Sequence, residues 1–178
     1  MAQTDELATP LYCPLIVNGE EGKAGSGRTF ARENPADVRQ IATNAEHGTQ
    51  ADARAGIDAA RTAFDTNVGN WIYNYKLREQ TLFRTAQLIR ENADRLAKVV
   101  SLEVGMPMRQ AVPHIGATAD IFEFYAGLAG KLYGESFTLP TGSMINLVKE
   151  PVGVVGMITP WNFPLTQDRK STRLNSSH

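Results

Sequence analysis

Residues 150–164, EPVGVVGMITPWNFP, restrict the possible fold more than any other stretch of this chain. Val152–Ile158 is an apolar run with no polar alternation, the pattern of a strand buried on both faces of a parallel sheet under helices. Gly153 and Gly156 remove side chains where a helix or a ligand comes close. Thr159-Pro160-Trp161-Asn162-Phe163-Pro164 then ends the strand, because proline has no N–H for the ladder and restricts the residue before it. In open α/β sheets, ligands sit in the crevice beyond the carboxyl ends of strands, which is where Trp161 and Asn162 fall. The side-chain amide of Asn162 has a chemical use there: it donates to a carbonyl oxygen that becomes negative as a nucleophile adds. Asparagine between prolines is also a plain turn former with Trp161 as packing, the commoner use of such residues, and both readings stay open.

The rest of the composition narrows the class. At 178 residues, 42% hydrophobic and 21% charged, the chain is long enough for one domain with a sizeable core. A net charge of −1 gives no basic footprint, so no nucleic-acid partner is expected. The single cysteine, Cys13, excludes an internal disulfide framework and suits a reducing compartment. No stretch approaches the ~18 apolar residues that cross a membrane. MAQTDELATP has acidic residues and no apolar core, so it does not read as a secretory signal. A soluble cytoplasmic protein is the expectation.

Along the chain, Leu15–Glu20 reads as a strand entering a turn, and Arg28–Glu33 as a second strand stopped at Asn34-Pro35-Ala36-Asp37. Val38–Ala45 is a third. Thr49 caps a helix, with Asp52 completing a capping-box-like pair and Ile57, Ala60 and Phe64 on one face. Beyond Trp71, Leu82, Phe83, Ala86 and Ile89 form one apolar stripe. Leu96, Val99 and Val100 form another after a break near Asn92, stopped by Gly105 and Pro107. A further helix is expected over Val112–Leu132, its stripe being Ile115, Ala119, Phe122 and Ala126, with Pro113 in its first turn. Ser143–Lys149 reads as a strand whose edge needs a partner, either a second subunit or another part of the chain.

Familiar chemical constellations are scarce. His47 and His114 are far apart, and no Cys/His/carboxylate cluster has metal-ligand spacing, so no metal site is expected. Cys13 has no identifiable base beside it and reads as a packed thiol. Gly25-Ser26-Gly27 lacks the third glycine of a dinucleotide fingerprint and precedes a strand, which makes it a loop.

EPVGVVGMITPWNFP resembles the corresponding stretch of the NAD(P)-dependent aldehyde dehydrogenases. VNGE, GRTFARENPAD, AARTAFD, Trp71, LEVGMP, FEFYAGLAGKLYGE and KEPVGVVG occur in that family's order over roughly Leu15–Gln167. The resemblance implies an α/β fold: the N-terminal part of a Rossmann-type cofactor-binding domain, truncated after its first core strand. On that basis residues 1–142 supply small strands and helices, 143–151 an oligomerisation arm, and 152–167 the first core strand with the PWNFP motif. It implies oxidation of a small-molecule aldehyde to an acid through a cysteine thiohemiacetal, with hydride passing to NAD or NADP. Asn162 matches the oxyanion donor, while Ile158, Thr159, Pro160 and Trp161 match the wall along the cofactor. The resemblance also implies a homo-oligomer for the full-length protein, without nucleic acid or membrane.

The family's nucleophilic cysteine and general-base glutamate lie beyond PWNFP and are absent from this sequence. Cys13 matches neither motif. The last eleven residues, DRKSTRLNSSH at 168–178, resemble one translated frame of a sequencing-library adaptor and are set aside from fold reasoning; a native basic tail is the alternative. The chain alone is therefore expected to be inactive and to aggregate or stay partly molten. The other reading is a natural, non-catalytic truncation that pairs with full-length subunits through Ser143–Lys149. An unrelated helical module carrying PWNFP by coincidence is the third.

Overall fold

The computed structural model describes Leu7 and residues 9–165. Three short strands come first: β1 (Leu11–Cys13), β2 (Leu15–Val17) and β3 (Glu20–Gly22). Asn18 and Gly19 both have positive φ, 55° and 79°, so the two-residue Asn-Gly turn closes β2 on β3 with the twist a hairpin needs. The longer strands β4 (Thr29–Asn34) and β5 (Asp37–Glu46) pair antiparallel, with a register shift between Arg32 and Asn34. Their connection is the expected one, the Asn34 side chain accepting from the Ala36 N–H at 2.9 Å. β5 is central, with β1 parallel on its other edge.

Two carboxylates lock this sheet to the neighbouring loop and the first helix. Glu46 is buried and accepts from the Tyr12 hydroxyl at 2.6 Å and the Ala24 N–H at 2.7 Å. These donors, the tyrosine first, hold its carboxyl below the usual range. Asp52 accepts from the Thr49 N–H at 2.7 Å, while Thr49 Oγ1 accepts from the Asp52 N–H at 3.2 Å. This is the expected capping box, and it starts helix α1 (Gln50–Asp65). Both Asp52 oxygens also accept from the Gly25 N–H, so the cap grips the Gly25-Ser26-Gly27 loop.

Helices α2 (Tyr75–Glu91), α3 (Ala93–Val104) and α4 (Met108–Leu128) form the main packed unit. The break at Asn92 falls where the sequence places it, and its side chain donates to the Leu88 carbonyl at 2.8 Å. Ala97, Val100, Ala111 and Ile115 form the buried cluster between α3 and α4. Ile89, Val104, Met106 and Leu165 pack around it. Ala86, Ala119 and Ala126 are also fully buried, so small side chains set the helix contacts.

Several expectations need correction. α4 starts at Met108 and ends at Leu128, about a turn earlier than expected at each end. The Pro107 carbonyl already accepts from Gln110 and Ala111 at 2.7 and 3.0 Å, which puts Pro113 inside the helix rather than in its first turn. The α1 stripe is not core: the helix has no fully buried residue, Ile57 is exposed and Phe64 only half-buried. On α2, Phe83 faces out while Ala86 is buried. Cys13 is exposed, not packed.

The expected strand over Val152–Ile158 is absent from the structure. An apolar run becomes a strand only where neighbours satisfy its ladder groups, and none does so among the described residues. Gly153, at φ 97°, also leaves the extended region. Its missing side chain is not needed for a close approach, since an ideal Cβ there would meet the Phe64 ring at 3.7 Å, an ordinary contact distance. Ser143–Lys149 does contain a strand, β7 (Met144–Leu147), paired antiparallel with β6 (Glu135–Thr138). The partner is thus within the chain. Gln167 and the 168–178 tail lie outside the described residues.

Gly105 stops α3 at φ 72°, where an ideal Cβ would lie 3.1 Å from Pro35 Cβ. Gly116, inside α4, has open space at that position. Gly105→Ala is expected to destabilise the intact gene product by about 1–2 kcal/mol. Gly116→Ala should be neutral or stabilise by up to about 1 kcal/mol. Urea denaturation of both variants checks the contrast.

Candidate functional site

The left-handed stop at Gly105 and the short Gly105–Pro107 connection turn the chain from α3 into α4. A cleft of about 800 Å³ opens along this turn. Val104, Met106, Pro107, Pro113 and Phe163 give it apolar walls. Arg109, Gln110, His114 and Asn162 supply its side-chain polar groups. Elements distant in sequence thus meet here: the end of α3, the first two turns of α4, and the segment beyond Ile158.

Two contacts fasten that last segment to α4. The Phe163 ring packs on the His114 imidazole with centroids 5.5 Å apart, tilted by 51°. Two residues on, Leu165 packs against the Ile115 cluster. Asn162, immediately before Phe163, is thereby carried to the cleft. Its amide has two donors and an acceptor to present there. Of the five residues singled out from sequence, only Asn162 lines the cleft. Thr159 and Pro160 are exposed, Ile158 is fully exposed, and Trp161 is 73% exposed. The four form an uncovered, largely apolar strip beside it.

His114 is buried, and desolvation pushes its pKa below the ordinary 6.5, so the ring is neutral at pH 7. Arg109 makes no ion pair among the described residues, unlike Arg39, Arg61, Arg84 and Arg90. Among the described residues no carboxylate lines the cleft. Nor does α4 have an acidic residue in its first turn.

Sequence reasoning missed Arg109, Gln110 and His114 as cleft residues. The available signal was His114, one residue before Ile115 and four before Thr118, a polar group on an otherwise apolar face. Among the described residues no group of three His, Cys, Asp or Glu side chains could hold a metal ion, and no helix is long and apolar enough to cross a membrane. A nicotinamide cofactor needs an apolar wall and a diphosphate cradle. The 158–161 strip is suited to the wall. The start of α1 is closed by its own Thr49–Asp52 cap and is not a cradle.

Residues 23–169 match the family model described as "Aldehyde dehydrogenase family". The chain belongs to this family. It is 37% identical over 155 residues to a betaine aldehyde dehydrogenase of Bacillus subtilis (strain 168), covering 86% of this chain and 31% of that protein. It is similar to the crystal structure of an NAD-dependent aldehyde dehydrogenase from Sinorhizobium meliloti: TM-score 0.83, 35% identity, 89% of this chain and 32% of the other. A betaine aldehyde dehydrogenase from Staphylococcus aureus in complex with NAD+ gives TM-score 0.86 at 30% identity, covering 97% of this chain and 35% of that one. The chain thus spans about a third of the length of the relatives it matches. The mixed α/β architecture is the corresponding part of the family's fold.

The buried imidazole gives a pH prediction. Because its folded pKa is lowered, the unfolded chain takes up a proton first as the pH falls. Stability should therefore decline from about pH 6.5 down to the lowered folded value and level off below it. Urea denaturation of the intact gene product at several pH values is expected to show this decline, and His114→Phe to remove that component.

Proposed function

We propose that these residues form the N-terminal part of an NAD(P)-dependent aldehyde dehydrogenase, in which Asn162 donates to the oxyanion formed when the aldehyde carbonyl is attacked. The observation that carries this is the position of Asn162 on a cleft that its neighbours Phe163 and Leu165 fasten to α4. A donor held in place before the reaction stabilises developing charge without reorganising, the condition for oxyanion catalysis. The cofactor, NAD or NADP, accepts the hydride. Ile158, Thr159, Pro160 and Trp161 form the wall against which its ribose and nicotinamide rest, a reading supported by their exposure.

The chain by itself does not complete this chemistry. Its sole cysteine, Cys13, sits on β1 and does not line the cleft. Val152, Ile158 and Trp161 are each more than half exposed, apolar area that invites association. Expressed alone, the 178 residues are expected to aggregate or bind a hydrophobic dye strongly, with no aldehyde-dependent reduction of NAD+ or NADP+. Turnover by the isolated chain would overturn this.

Subunit pairing belongs to the same reading. The β6–β7 hairpin is almost wholly exposed and is a sheet of only two strands. A second subunit adding to its edge would form the oligomer. That exposure also favours the alternative of a non-catalytic chain that joins full-length subunits through β7, for which co-purification with a longer subunit is the sign. A cytoplasmic location completes the proposal, supported by the use of a single cysteine.

Asn162→Ala in the intact gene product tests the central role. It is expected to lower kcat by roughly 10²- to 10³-fold, with little change in cofactor affinity. A rise confined to aldehyde KM, with kcat unchanged, would mean that Asn162 holds ground and transition states equally and would overturn the oxyanion role.

A further inference from the structure

We infer that the cleft selects aldehydes carrying a carboxylate at the end remote from the carbonyl. This rests on the reading above, in which Asn162 holds the carbonyl oxygen. The groups sharing the cleft with Asn162 then decide what the rest of the substrate is. Among the described residues they comprise one cation, Arg109, a second amide, Gln110, and no acid.

Some arginines of these helices are tied to carboxylates. Arg84 pairs with Glu91, and Arg90 with Asp120 and Glu123. Arg109, like Arg78 and Arg95, has no such carboxylate among the described residues, and of these three only the exposed Arg109 lines the cleft. A guanidinium presents paired donors in the geometry of a carboxylate, and its charge is fixed at any working pH. His114 is neutral at pH 7 and adds no competing charge. Val104, Met106 and Phe163 give an apolar path for a methylene spacer.

The same inventory argues against a quaternary ammonium terminus. Such groups are held by several aromatic faces or by acids. Among the described residues Phe163 is the one benzene-type ring on the lining, and the fixed charge there, Arg109, has the repelling sign. Relatedness to an enzyme named for betaine aldehyde therefore does not fix the substrate.

The test uses the intact gene product and three aldehydes of equal length, ending in a carboxylate, a methyl group or a trimethylammonium. Initial rates of cofactor reduction should give kcat/KM at least about tenfold higher for the carboxylate than for the trimethylammonium compound, mostly through KM. That ratio should shrink as salt is raised. Arg109→Gln should reduce the ratio about tenfold, and Arg109→Lys should retain most of it. In the wild-type protein, a short dicarboxylate should compete with the methyl-terminated aldehyde where a dication of equal length does not, a measurement independent of any variant. Oxidation of the methyl-terminated aldehyde with no preference for the carboxylate, or a ratio unmoved in Arg109→Gln, overturns the inference and leaves the family reading intact. Failure to oxidise all three by folded, cofactor-binding protein overturns the reading itself.

Discussion

The buried contact around Ile115 is the constraint on which the rest of this structure depends. Ile115 is fully buried with Ala97, Val100 and Ala111, and this cluster fixes α4 against α3. Removing one such aliphatic side chain from water contributes about 1.5–3 kcal/mol. The same cluster is packed by Met106 from the turn into α4 and by Leu165 beyond the PWNFP segment. One hydrophobic knot therefore joins the three pieces of chain that form the cleft. Asn162 is positioned by packing on either side of the knot, not by a hydrogen bond of its own among the described interactions.

Electrostatics acts differently in the two halves. Arg90 bridges α2 and α4 by pairing with Asp120 and Glu123, but those side chains are exposed, and water and salt screen them. The carboxylates of Glu46 and Asp52 instead collect short donations from backbone N–H groups and hydroxyls. Both are held below their usual pKa range by those bonds. The strands and the start of α1 are tied together by such anion-to-donor contacts, whereas the helices rely on alanine-sized packing. Arg78 is the link between regions, donating to the carbonyls of Trp71 and Ile72 after α1 and of Ala129 after α4.

The cleft is thus a product of helix packing with a loop laid across it. Its apolar walls come from residues whose neighbours are core, and its polar groups come from the first turns of α4 and from Asn162. Ile158 and Trp161 stand beside it uncovered. Asn162, the proposed oxyanion donor, and the proposed cofactor wall are consecutive in sequence and all exposed, but only Asn162 lines the cleft.

Much of this was legible from local chemistry. Asn18-Gly19 dictated a hairpin because both residues tolerate positive φ. Thr49 with Asp52 dictated a helix start, Asn34-Pro35 a turn, and Gly105 a helix stop, each through its own backbone or its nearest neighbours. The resemblance carried by PWNFP identified the family and drew attention to Asn162. Tertiary structure alone decided what depends on partners. Val152–Ile158 has the composition of a core strand, but a strand exists only where a neighbour satisfies its ladder. Ile57 and Phe83 lie on apolar stripes, yet whether a stripe is covered depends on what packs above it. Arg109 and His114 carried no motif, and they became cleft residues only because the Ile115 knot brings the first turns of α4 to the chain bearing Asn162.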